Sequence, residues 1–176
     1  KNFNNQVYKI PLYSDKMLFD EVNLFFKWYS KKNIKKKNIK LVNDKIKKEV
    51  IKLISKIRLS NDTFVHRDFH VANLMKTKNG IGVIDSQDAV FGNKAYDLAS
   101  LIDDVRFKSS NIFKELIYKE FIKFNKDLDK NNFRHDFEIL SVLRNLKIIG
   151  IFTRLAVRDN KKKYLKYIPY AWKLIE

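Results

Sequence analysis

Three oxygen-bearing side chains fall close together in the middle of the chain: Asp68, Asn73 and Asp85. Two acids and an amide of this kind suit magnesium and phosphate chemistry. Mg²⁺ is a hard cation that takes one or two protein oxygens and completes its shell with phosphate oxygens and water. An aspartate on a loop, such as Asp68, can accept a hydrogen bond from a substrate hydroxyl and take its proton as that hydroxyl attacks. Asn73 offers a carbonyl oxygen to a cation or locks the loop, and Asp85 can bridge Mg²⁺ to phosphate. Each residue alone reads equally well as turn polarity; the spacing of the three carries the information.

The elements that must position them are short. Thr63 to Val65, Asn73 to Lys76 and Ile81 to Ile84 read as strands, and Asn79-Gly80 reads as a hairpin turn with positive φ at both positions. Residues 64–86 thus form strand, loop, strand, turn and strand, with the polar groups on one small β platform. The rest is helical. Ser14 caps a helix running to about Ser30, apolar almost all round at Met17, Leu18, Val22, Leu24, Phe25, Phe26 and Trp28, with Asp15, Asp20 and Glu21 near its positive end. Lys31 to Lys40 reads as a solvated basic connector. A helix over Leu41 to Leu59 carries the stripe Ile46, Val50, Leu53, Ile54 and Ile57. Val90 to Lys94 reads as a loop, Ala95 to Phe107 as a helix, and Ile112 to Asn125 as a helix with the stripe Phe113, Leu116, Ile117, Phe121 and Phe124. A long helix follows over Phe133 to Val157, in which Gly150 signals close packing, and Pro169 opens a short closing helix. Val7 to Ile10 is a further candidate strand. The fold class is α+β, predominantly α, with a small β-hairpin set into it.

The chain has 176 residues, enough for one domain or one large lobe, and is 45% hydrophobic with no cysteine, which rules out a disulfide framework and a thiolate metal site. No apolar run is long enough to span a bilayer. The net charge of +17 is carried mostly by dispersed lysines. Specific nucleic-acid readers lean on Arg, so the charge reads as composition rather than as a nucleic-acid or membrane partner.

HRDFHVAN, His66 to Asn73, resembles the catalytic loop shared by protein kinases and the aminoglycoside phosphotransferase and choline kinase group, in which the base Asp stands five residues before a metal-binding Asn. His70, two residues after that Asp, matches the small-molecule group, where protein kinases usually carry Lys. No Gly follows Ser86, so there is no DFG triplet, and there is no room for an activation segment. The runs Ile84 to Arg106, Glu21 to Tyr29 and Leu146 to Leu165 look like the bacterial N-acetylmuramate/N-acetylglucosamine anomeric kinases of cell-wall recycling.

This resemblance implies an ATP- and Mg²⁺-dependent cytoplasmic phosphotransferase with a kinase-like C-terminal lobe. It implies Asp68 as the base, Asn73 and Asp85 as metal ligands, and His66, His70 and Asp97 as structural supports of the loop. Gln87 and Asp88 are candidates for sugar hydroxyls or plain loop polarity. Arg154 and Arg158 are candidates for a substrate carboxylate, such as a lactyl group, or for an ion pair.

Two departures stand out: Ser86 replaces the usual aromatic after the metal Asp, and nothing upstream of residue 14 resembles a Gly-rich loop or a strand Lys. Residues 1–13 therefore read as a lead-in from a missing N-terminal lobe, and residues 14–176 as the C-terminal lobe, inactive alone, with an apolar face that the missing lobe covers. The expected partners are a nucleotide and a small sugar, with no specific nucleic acid and no membrane. The alternatives are a kinase for an aminoglycoside, choline or homoserine, and a non-catalytic remnant or binding module.

Overall fold

The computed structural model describes residues 9–176. Seven α-helices and four short strands are present among them. Helix α1 (Asp15–Leu24) starts where Ser14 accepts the Met17 N–H. It continues without a break through a π-helical turn, Phe25–Ser30, into α2 (Lys31–Asn33). In this wider turn the adjacent rings of Phe25 and Phe26 are both buried, and Phe25 stacks on Tyr29 and meets Trp172 edge-on. Helix α3 (Lys36–Ile54) buries Val50 and Ile54. Most of the expected basic connector is thus helical: Lys is a good helix former, and its charges stay in solvent along the first turns of α3.

The expected single platform is replaced by two antiparallel ladders. Strand β1 (Thr63–Val65) is followed by the β2 (Leu74–Thr77) and β3 (Gly80–Val83) hairpin, then by β4 (Val90–Gly92), which pairs with β1 in the register Thr63↔Gly92 and Val65↔Val90. Residues 90–92, expected as loop, are a strand because β1 offers a free edge. The lead-in then adds itself to β4: Phe91 N–H donates to Pro11 O and Tyr13 N–H to Phe91 O. The expected strand Val7 to Ile10 begins outside the described residues, and Lys9 and Ile10 are not in a strand. In the hairpin, Thr77 pairs with Gly80, so the two loop residues are Lys78 and Asn79. Gly80 alone takes positive φ, at 128°; Asn79 does not.

Helix α4 (Ala95–Ile102) stops short of its expected end. The Asp104 carboxylate accepts the Arg106 N–H and Nε–H, a local alternative to helical bonding. Helix α5 (Asn111–Phe124) is capped by Ser110. Its apolar stripe is only partly used: Ile117 and Phe121 pack on the core, whereas Leu116 and Phe124 stay exposed. The central element is α6 (Lys130–Val157), capped by Asp129, which packs against α1, the π-helical turn, α4 and the closing helix α7 (Ile168–Lys173). Fully buried Asp136 on α6 accepts the N–H groups of Arg58 and Leu59 and the Asn93 side-chain amide, so one carboxylate ties the end of α3 and the start of α4 to the central helix.

Gly150 lies where α6 crosses α1. A Cβ there would stand 2.4 Å from Leu24 C and Phe25 N, backbone atoms that no rotamer change can move. Gly150→Ala should therefore destabilise the protein by about 2 kcal/mol despite alanine's better helix propensity, as expected for overpacking. Thermal and urea denaturation of the purified variant would measure this, and a stability equal to or above wild type would show that the crossing is looser than described.

Candidate active site

The loop after β1 turns sharply. Arg67 has φ 71°, a left-handed conformation costly for a long side chain. Asp97, in the first turn of α4, holds it there: Oδ2 accepts the His66 N–H at 2.6 Å and Oδ1 accepts the Arg67 N–H at 3.1 Å. Burial pushes the Asp97 carboxyl above the usual carboxylate range, and the two N–H bonds offset only part of that.

His66 is buried and uses both ring nitrogens. Its Nε2 lies 2.9 Å from Ile84 O, which can only accept, so Nε2 carries the proton. Nδ1 is then free to accept the Asp68 N–H, at 3.3 Å. The Asp68 carbonyl accepts the Asn73 side-chain amide at 2.9 Å and the His70 N–H at 3.0 Å. These contacts occupy the backbone of Asp68 and leave its exposed carboxylate without a hydrogen bond among the described residues.

The second arm comes from the hairpin. Ile84 N–H donates to Asn73 O at 3.1 Å, extending the β2–β3 ladder by one step and setting Asp85 beside the loop. Asp85 also has φ 71°. Its Oδ1 accepts the Gln87 side-chain amide at 2.9 Å. Asn73 Oδ1 and Asp85 Oδ2 make no hydrogen bond among the described residues. Those residues contain no group of three or more His, Cys, Asp or Glu that could hold a metal alone. Two hard oxygens fit a cation that arrives with phosphate and water ligands of its own, and they do not fit a closed protein cage.

Asp68, Asn73, His66 and Asp97 thus form one hydrogen-bonded unit, and Asp85 is tied to it through its neighbour Ile84. His70 joins through its backbone. Burial and the charge of Arg106 push its imidazole below the usual histidine range, and Nδ1 is buried without a partner among the described residues. Gln87 is turned toward Asp85, and Asp88 contributes its carbonyl, which accepts Arg67 Nη1 at 3.0 Å. Arg158 is exposed and paired with Asp159 at 2.7 Å. Arg154 lies two turns beyond Lys147 on α6, about 10 Å along the axis, and neither arginine hydrogen-bonds to residues 68, 73 or 85.

A charged cluster beneath the loop was not singled out from sequence. Glu21 on α1 receives Arg67 Nη2, Lys147 Nζ at 3.0 Å, Tyr13 Oη at 2.5 Å and Tyr96 Oη at 3.3 Å. Burial alone would push the Glu21 carboxyl up, but the Lys147 charge, the Tyr13 hydroxyl and Arg67 outweigh it and hold it below the usual range. Burial likewise pulls the Lys147 ammonium down, and Tyr96, Glu21 and Asp68 outweigh it, so Lys147 stays charged. The signal was present in the periodicity: Glu21 falls at i+3 from Leu18 and i−4 from Phe25, on the buried face of its helix.

Known proteins resemble this chain over the elements that carry the site. The model of the Phosphotransferase enzyme family matches residues 21–122, from Glu21 through the loop, the hairpin, α4 and most of α5. N-acetylmuramate/N-acetylglucosamine kinase of Neisseria meningitidis serogroup B is 33% identical over 168 residues, covering 91% of this chain and 50% of the relative. The protein of the same name from Caulobacter vibrioides is 34% identical over 114 residues, 62% of this chain and 31% of the relative, and that of Pseudomonas aeruginosa is 30% identical over 173 residues, 95% and 51%. The chain spans about half the length of most of the curated relatives it matches. With the family model matching a span that includes the pinned loop and the hairpin, this chain belongs to the phosphotransferase enzyme family.

Proposed function

We propose that the chain carries the catalytic half of an ATP-dependent kinase that phosphorylates the anomeric hydroxyl of a cell-wall amino sugar, N-acetylmuramate or N-acetylglucosamine. The observation that carries the chemistry is the Asp68 carboxylate, exposed and without a hydrogen bond among the described residues, on a loop whose backbone is pinned by Asp97, His66 and Asn73. A carboxylate held this way can orient a sugar hydroxyl and take its proton without first giving up a protein partner. Asn73 Oδ1 and Asp85 Oδ2 are the oxygens that would hold Mg²⁺. Held there, Mg²⁺ would supply charge neutralisation to the phosphate oxygens during phosphoryl transfer. His66, His70 and Asp97 support the loop and do not touch the reacting atoms. The choice of acceptor rests on the names of the relatives.

Residues 14–176 form the C-terminal lobe in this reading, and residues 1–13 lead in from an N-terminal lobe that closes over the phosphates. Exposed Ile81 and Val83, alternate residues on one face of the hairpin, offer that lobe an apolar seat. ATP as donor places the reaction in the cytoplasm, and the isolated lobe is inactive. Among the described residues no helix is long and apolar enough to cross a membrane.

Two measurements on the full-length protein test this. Asp68→Asn should lower turnover of amino sugar by about 10³-fold, within the range for loss of a general base, while nucleotide affinity stays within about twofold of wild type. Unchanged turnover would sink the assignment of the base. Asp85→Asn should shift half-maximal activity to at least about tenfold higher Mg²⁺; a Mg²⁺ titration that superimposes on wild type would remove Asp85 from the metal site.

A further inference from the structure

The Asp85–Ala89 span is a bare stretch between two ladders. On its N-terminal side Ile84 is gripped twice, by His66 Nε2 on its carbonyl and by Asn73 O on its N–H. On its C-terminal side Val90 pairs with Val65. Within the span the Gln87–Asp85 and Ala89–Ser86 bonds are internal. The one hydrogen bond reaching it from outside, among the described residues, is Arg67 Nη1 to Asp88 O at 3.0 Å.

Arg67 can grip because it is itself mounted. Its N–H is held by Asp97, its φ of 71° aims the side chain away from the path of β1, and its Nη2 is paired with Glu21. Glu21 is fixed in turn by Lys147, Tyr13 and Tyr96, from α6, the lead-in and α4. The pair is largely withdrawn from solvent, with 20% and 13% of the two side chains exposed. Arg67 also lies over the Tyr13 ring at 5.4 Å. A surface ion pair would gain little from such an investment. A planar fork with two donors pointing to two fixed acceptors is a geometric device, one that a lysine's single ammonium cannot reproduce.

We infer that Arg67, mounted on Glu21, is a positioning residue that sets where the Asp85 carboxylate stands relative to Asn73, and so tunes binding of the metal–nucleotide complex rather than of the nucleotide alone. This rests on the reading of Asp85 as a metal ligand. Asp85 sits in a conformation disfavoured for a non-glycine residue, so its pose depends on its flanks being held, and Arg67 supplies the one flank the ladders leave free.

The test uses the full-length protein and calorimetry, not turnover. The titrants are the Mg²⁺ complex of a non-hydrolysable ATP analogue and the same analogue in EDTA. Arg67→Lys keeps a cation for Glu21 but loses the fork. It should weaken the Mg²⁺ complex about tenfold, the usual size of an outer-shell effect on a metal site, with EDTA-analogue affinity within about twofold. Glu21→Gln, which loosens the mount while preserving side-chain volume, should shift the same ratio in the same direction. Equal weakening of both titrants, or of neither, in both variants would overturn the inference. Asp85→Asn run alongside separates the two failures. If it too leaves the ratio unchanged, the metal assignment is wrong; if it changes the ratio and Arg67→Lys does not, only the clamp is wrong.

Discussion

The carboxylate of Asp97 accepts two successive backbone N–H groups, those of His66 and Arg67, and the geometry of the site descends from that contact. It forces the chain to leave β1 in a left-handed turn, which sends the Arg67 side chain down toward Glu21 and leaves the Asp68 carboxylate facing out. The cost is visible in Asp97 itself, whose carboxyl is pushed up by burial. A buried acceptor stays where it is only because two donors depend on it; removing it would strand both N–H groups. Asp97 is mounted on α4, and α4 is locked to α6 through Asn93 and Asp136. The loop that carries Asp68 is thus referenced to the longest helix among the described residues.

Charge is handled in two separate ways. The lysines that account for most of the +17 lie on exposed helix faces, as along α3, and solvent screens them. A few cations go inside, and each has specific company. Lys147 faces Glu21 and Tyr96, and Arg144, 4% exposed, donates to Ser100 Oγ and the Asp103 carbonyl. A buried charge without such partners would cost several kcal/mol. Both cations project from α6 toward α4, and Lys147 reaches the Arg67–Glu21 pair beneath the loop.

Parts of the fold were legible because they rest on local chemistry. Ser14 and Pro169 mark helix starts by capping and ring geometry, and Gly150 marks a helix crossing because only a missing Cβ lets two backbones approach that closely. Other parts were not. Val90 to Gly92 carries no strand signal stronger than its neighbours and becomes β4 only because β1 has an open edge. The α5 stripe reads as core, yet exposed Leu116 and Phe124, with Phe64 and Phe69, line a cavity of about 620 Å³, because no element packs over that face among the described residues.

The candidate site divides along the same line. The identities and spacing of Asp68, Asn73 and Asp85 were written in the sequence, since a hydrogen-bonding loop and a two-residue hairpin connection are local structures whose lengths are set by residue count. Which of their oxygens remain unbonded, and which side chains stand beneath them, was decided by contacts between residues far apart in the chain: Asp97 with His66, Lys147 with Glu21, Glu21 with Arg67. A periodic pattern tells which face of a helix is buried, but two buried charges find each other only when the helices carrying them are packed. That is why the candidate groups could be named from sequence and the charged platform beneath them could not.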